Sequence, residues 1–167
     1  LQITWRMGEV VFFFRKMAPG AFSINQMFAA LAGEIGKSRA VKSHHLKKNG
    51  ASLKVILFNI LDARRAASTG INHITGDVHY VIFGIRNGRR VLTIHDCILL
   101  TRTARWNPKF YLFQWFWYKL PVWQADAVTT ISEKTKSEIV AFTGCSPQKI
   151  KVIPNFVHDA FRWQVKV

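Results

Sequence analysis

The sequence predicts an α/β fold: a three-layer domain with a mostly parallel six-stranded sheet and helices on both faces. Three observations point to it. Short apolar runs alternate with helix-period segments along the chain, which implies right-handed βαβ units. The first run, Val10 to Phe14 (VVFFF), is continuous rather than alternating, as in a strand buried on both faces. Two further runs, Ile71 to Thr75 and Val91 to Ile94, stop abruptly in polar residues: Gly76, Asp77 and His79 after the one, His95 and Asp96 after the other. An open α/β sheet binds its ligands at such strand ends.

The elements follow in order. The first strand lies within Glu9 to Arg15 and ends in the turn Met17-Ala18-Pro19-Gly20-Ala21, where Gly20 permits close backbone approach to a ligand. Ser23 and Gln26 form a capping-box pattern, and Ile24, Met27, Phe28, Leu31, Ala32 and Ile35 mark one helix face up to Gly36. A short strand near Arg39 to His45 follows, flanked by Lys37, Lys42, Lys47 and Lys48; it is either a solvated edge or an anion-binding surface. After Asn49-Gly50, Ala51 to Ala67 reads as a helix apolar on most faces, with Arg64 and Arg65 at its exposed end.

Ile71 to Thr75 is the third strand, and Asp77 is placed to cap a short helix from Val78 to Phe83. Asn87-Gly88 turns the chain into the fourth strand, Arg90 to His95. Asn107-Pro108 opens an aromatic helix that Pro121 is expected to kink or end. Ala127 to Ile131 is the fifth strand. Ser132 caps a charged helix ending at Gly144, and Lys151 to Ile153 is the sixth strand, closed by Pro154-Asn155.

Composition narrows the function. At 167 residues and 49% hydrophobic, the chain predicts one folded domain spanning 1–167. Lys and Arg outnumber Asp and Glu by 24 to 9, and a field of +15 favours phosphate-bearing partners or an anionic membrane surface. Cys97 and Cys145 have no zinc-ligand spacing and make no disulfide framework, so a cytoplasmic setting is expected. No apolar stretch reaches the ~20 residues of a membrane span, and no signal peptide is visible.

Motifs sharpen this further. Neither GxGxxG nor GxxxxGK[ST] occurs, so a dinucleotide or Walker-type site is not supported. The Pro19-Gly20-Ala21 loop is a tight turn or, with the helix behind it, an anion site. His95 is placed to hydrogen-bond a sugar hydroxyl or phosphate oxygen, and Asp96 to orient a neighbour or accept from hydroxyls; the plain alternative is a histidine satisfied by backbone carbonyls. His73 reads as a packed residue. The histidines show no metal spacing, so no metal is expected. Trp115, Trp117 and Trp123 cannot all face one way, which leaves aromatic surface for lipid or another domain.

Four pieces, APGAFSINQMFAALAGEIG, NHITGDVHYVIFGIRNGRRVLTIHDCILL, AVTTISEKTKSEIVAF and KIKVIPNFVHDAF, stand in the order found in one family and cover most of residues 15–161. Together they resemble the N-terminal, Rossmann-like domain of family 4 glycosyltransferases, which have the two-domain GT-B architecture. The resemblance implies transfer of a sugar from a nucleotide sugar to a glycan or lipid-linked acceptor, with retention and without metal or other cofactor. It assigns Pro19, Gly20 and Ala21 to the donor phosphate and reacting centre, His95 to the neighbourhood of the transferred sugar, and Gly76, Asp77, His79 and Asp96 to the acceptor. The family's nucleotide-sugar domain has no counterpart after Val167, so these residues are expected to be the acceptor-side half, inactive alone. Lys37, Arg39, Lys42, Lys47 and Lys48, with the aromatic helix, are expected to meet the inner face of the cytoplasmic membrane in a bacterial envelope-polysaccharide pathway. The alternative is a stand-alone basic module that binds a polyanion without catalysis; no specific nucleic acid is expected.

Overall fold

The computed structural model describes residues 8–16 and 22–155. Pro19, Gly20 and Ala21 lie outside the described residues, as does the side chain of Ser23. Six strands form one sheet: β1 (Val10–Phe14), β2 (Val41–His45), β3 (Ile71–Ile74), β4 (Arg89–Ile94), β5 (Ala127–Thr130) and β6 (Ile150–Val152). Their order is β2-β1-β3-β4-β5-β6, and every pair is parallel. The fold is the expected three-layer α/β arrangement, with the sheet parallel throughout.

The order explains the layers. Only the β1-to-β2 connection runs toward the β2 edge; the others run the opposite way, so right-handed crossovers put them on the opposite face. Accordingly, among the described residues α1 (Phe22–Gly36) alone covers one face, where Val10, Phe12 and Phe14 pack on Phe28 and Ala32. The other face carries α2 (Leu53–Ala66), a 3₁₀ segment (His79–Gly84), the aromatic helix and α6 (Glu133–Thr143). There Val11, Phe13, Ile74, Leu92 and Ile94 share one core with Ala63, Ile82, Val122 and Ile139.

Local signals set most boundaries. Ser52 caps α2 and Ser132 caps α6, each side chain accepting from a backbone N–H three residues on. Gly144 ends α6 in the left-handed region at φ +69°, which a residue with a Cβ resists. The 3₁₀ segment presses so tightly on α2 that a Cβ on Gly84 would lie 2.2 Å from the Ile60 carbonyl oxygen.

Two expectations are corrected and one element is added. The short helix after β3 is a 3₁₀ turn with no side-chain cap, because the Asp77 carboxylate turns instead toward Arg15, 3.5 Å away. A short helix, α3 (Ile98–Thr101), follows β4 with no forecast in the sequence reading. Pro121 does not end the aromatic helix. The helix runs through α4 (Pro108–Phe113), a π-helical stretch (Gln114–Lys119) and α5 (Leu120–Gln124). Pro121 has no N–H for the Trp117 carbonyl four residues earlier, and the π stretch, with Leu120 bonded back to Trp115, loosens the helix there. The freed Trp117 carbonyl accepts from His79 Nδ1 at 2.7 Å.

Candidate functional site

The strand order reverses between β1 and β3, and an α/β sheet opens a crevice at such a point, beyond the carboxyl ends of its strands. Here the crevice is a cleft of about 260 Å³. Gly76 and Asp77 reach it from the end of β3, His79 from the 3₁₀ segment, and His95 and Asp96 from the end of β4. All five residues that the sequence placed on this side therefore line one space.

His79, His95 and Asp96 are each held by a backbone partner. His95 Nε2–H donates to the Thr75 carbonyl at 3.3 Å, and the His95 carbonyl accepts from Thr135 Oγ1 at 3.3 Å. Burial lowers the His95 pKa below the ordinary histidine value. In the neutral ring Nε2 is the donor, which leaves Nδ1 as an acceptor. His79 is buried and pushed down to about 4, chiefly by burial. Its Nδ1–H is taken by Trp117.

Asp96 Oδ1 accepts from the Ile98 N–H at 3.0 Å and so fixes the start of α3, while its carbonyl accepts from Tyr118 Oη at 3.3 Å. The Asp77 carbonyl accepts from Trp117 Nε1 at 2.7 Å. Asp77 and Asp96 each keep carboxylate oxygen facing solvent. Gly76 is open: a Cβ there would meet nothing within 4 Å.

Three polar lining residues were not singled out in the sequence: Arg15, Asn25 and Tyr118. Arg15 follows β1 directly, so the strand-end rule that selected Asp77 and His95 applied to it too. Tyr118 was hidden in an aromatic run that reads as core; burial raises its phenol pKa, so it stays a neutral donor.

His95 also borders a second, smaller cleft of about 130 Å³ between α1 and the ends of β5 and β6, reaching Asn155. Below it, on the α1 face, His73 Nε2 meets Thr93 Oγ1 at 2.7 Å, and Thr93 meets Thr129 Oγ1 at 2.6 Å. His73 is pushed down to about 4, mainly by burial, in keeping with a packed residue.

The basic residues of the Lys37 to Lys48 stretch are not one patch. Lys37 pairs with Glu34 at 2.7 Å, Lys47 reaches the buried Asp62 at 3.3 Å, and Lys48 lies over the Phe58 ring of α2 at 4.2 Å. Lys42 is exposed on the edge strand, beside the half-buried Arg39. Among the described residues no group of three His, Cys, Asp or Glu side chains is placed to hold a metal, and no helix is long and apolar enough to cross a membrane. Both cysteines are buried and unpaired, and burial pushes the Cys97 thiol up to about 12.

No curated protein is similar enough to count as a relative. The family model of Glycosyltransferase Family 4 does match, over residues 37–161, about three-quarters of the chain. That span includes the strand-end residues of the cleft from Gly76 to Asp96. The chain belongs to Glycosyltransferase Family 4.

Proposed function

We propose that this domain is the acceptor-binding half of a retaining glycosyltransferase, working with a second domain that holds a nucleotide sugar. One observation carries the reading: at the switch point of the sheet, Gly76, Asp77, His79, His95 and Asp96 line a single cleft. In the reaction, the bond from the anomeric carbon to the donor phosphate oxygen breaks, and a bond to the acceptor oxygen forms on the same face. The acceptor's proton leaves with the departing phosphate.

The residues divide this work by their hydrogen-bonding capacity. With Nε2–H committed to Thr75, neutral His95 offers Nδ1 as an acceptor, which suits a sugar hydroxyl better than a phosphate oxygen. The free carboxylate oxygens of Asp77 and Asp96 accept further hydroxyls. Arg15, 3.5 Å from the Asp77 carboxylate, is the cation that lines the cleft and can pair with an anionic group entering it. His79, through the Trp117 carbonyl, holds the helix that brings Tyr118 to the cleft.

The test is a transfer assay on the complete enzyme with a panel of nucleotide sugars and glycan acceptors. His95→Ala is expected to lower kcat/KM by about tenfold, the size of one lost hydrogen bond. The product's anomeric configuration, read by NMR, is expected to match the donor's. Unchanged kcat/KM would remove His95 from the site, and an inverted product would overturn the retaining mechanism. The 167 residues alone are expected to turn over no nucleotide sugar.

A further inference from the structure

His95 is tied down by hydrogen bonds at two points. Thr135 of α6 holds its carbonyl, and its Nε2–H donates to the Thr75 carbonyl at the end of β3, at 3.3 Å in each case. The second bond is longer than the usual range of about 2.7–3.2 Å. A ring held at one corner by a long bond still turns about that bond, so neither contact fixes the plane of the imidazole. That plane decides where Nδ1, the free acceptor, points.

A third contact comes from α1. The Phe28 ring meets the His95 ring edge to face, with centroids 5.8 Å apart and planes at 80°, a preferred arrangement for an aromatic pair. Phe28 can act as a stop because it is held on its other sides. It is 4% exposed, it packs against Phe12 with centroids 6.3 Å apart, and it meets His73 edge to face at 5.3 Å. His73 is anchored in turn by Thr93 and Thr129. A train of contacts thus runs from β5 through β4 and β3 to α1, and returns to the end of β4. The same stretch of α1 serves both spaces: Ile24 and Asn25 line the larger cleft, Met27, Phe28 and Leu31 the smaller one. His95 stands between the two, with Phe28 against its flank.

We infer that Phe28 is a positioning residue, which sets the plane of the His95 ring and so fixes the direction in which Nδ1 accepts. That His95 then serves sugar transfer rests on the acceptor-site reading above; that Phe28 holds the ring does not.

Two measurements test it, the first independent of transfer. In the chain carrying nitrogen-15 histidine, at about pH 8 where the imidazole is neutral, the two His95 nitrogens are expected to give the widely separated NMR signals of a single tautomer, one bare and one protonated. Phe28→Leu and Phe28→Met, which keep an apolar side chain without a ring, are expected to release the imidazole and draw the two signals together as the tautomers exchange. Phe14→Leu is the control. It lies in the same core, its ring partners are Phe12 and His45, and the His95 signals are expected to stay apart. Melting temperatures confirm that each variant is folded. Signals that stay apart in both Phe28 variants, or that are already merged in the native chain, overturn the inference. So do signals that merge equally in Phe14→Leu, since any vacancy in this core would then have the same effect.

The second measurement is transfer by the complete enzyme. Phe28→Leu is expected to lower kcat/KM about threefold when His95 is present and not at all in the His95→Ala background, because a positioning residue acts only through the group it positions. An equal loss in both backgrounds overturns the inference. If His95→Ala leaves transfer unchanged while Phe28→Leu still merges the nitrogen signals, the acceptor-site reading fails and the positioning role stands. If His95→Ala slows transfer and the signals do not move, the positioning role fails and the acceptor-site reading stands.

Discussion

His73 and His79 lie on opposite faces of the sheet, yet burial pushes both down from 6.5 to about 4. Each is neutral in the fold and would take a proton once unfolded, so the unfolded chain binds more protons between those two values. Stability from this source is complete above pH 6.5 and is lost as pH falls toward 4. At about 1.4 kcal/mol per pH unit, each histidine contributes about 3 kcal/mol across that window. Urea titrations between pH 7 and pH 4.5 are expected to show a steep loss of stability, reduced by about half in His73→Gln. A flat profile would mean that neither ring is as dry as its surroundings indicate. Gly76 gives a different kind of probe. Because a Cβ there meets only open space, Gly76→Ala should leave the melting temperature within about 2 °C, while narrowing the cleft and raising the acceptor's KM.

At the scale of elements, the aromatic helix and the 3₁₀ segment show where local rules yield to packing. Proline read alone predicts a helix end. The π stretch before Pro121 lets the chain continue, because Trp117 can bond to His79 instead of to the residue at 121. Gly84→Ala puts a methyl against the Ile60 carbonyl, and a close contact with backbone rather than with a flexible side chain is relieved only by moving α2. A loss of about 2–3 kcal/mol is expected, at the upper end for overpacking, measurable by denaturant unfolding. All six strands, the caps at Asn107 and Ser132 and the stop at Gly144 were legible, since each depends on residues within a few positions. Tyr118, Arg15 and the Asp77 to Arg15 pairing were not, since each depends on which segments meet across the sheet. His79 and Asp96 were found for their type and place, but their partners, Trp117 and Tyr118, lie 38 and 22 residues away.

For the whole molecule, the asymmetry of the two faces matters most. Among the described residues, one face has a single helix and holds the row His73, Thr93 and Thr129; the other carries every remaining helix and the larger core. The cleft opens at the boundary between the faces, and His95 borders the spaces on both sides. The +15 charge that pointed to anionic partners is not spread as the sequence implied. Lys37, Lys47 and Lys48, on either side of the edge strand, go to Glu34, Asp62 and Phe58, while Lys42 on that strand and Lys54, Arg64 and Arg65 on α2 are exposed.

The strand-end loops are gripped through four main-chain carbonyls, those of Thr75, Asp77, His95 and Asp96, by His95, Trp117, Thr135 and Tyr118. A carbonyl is the same whatever side chain its residue carries. The outline of the cleft thus depends little on what stands at 76 and 77, whereas Asp96 also holds the Ile98 N–H, and the first two positions can be exchanged like inserts in a fixed frame. A scaffold of that kind lets acceptor preference be rewritten by one or two substitutions without rebuilding the loops that present them.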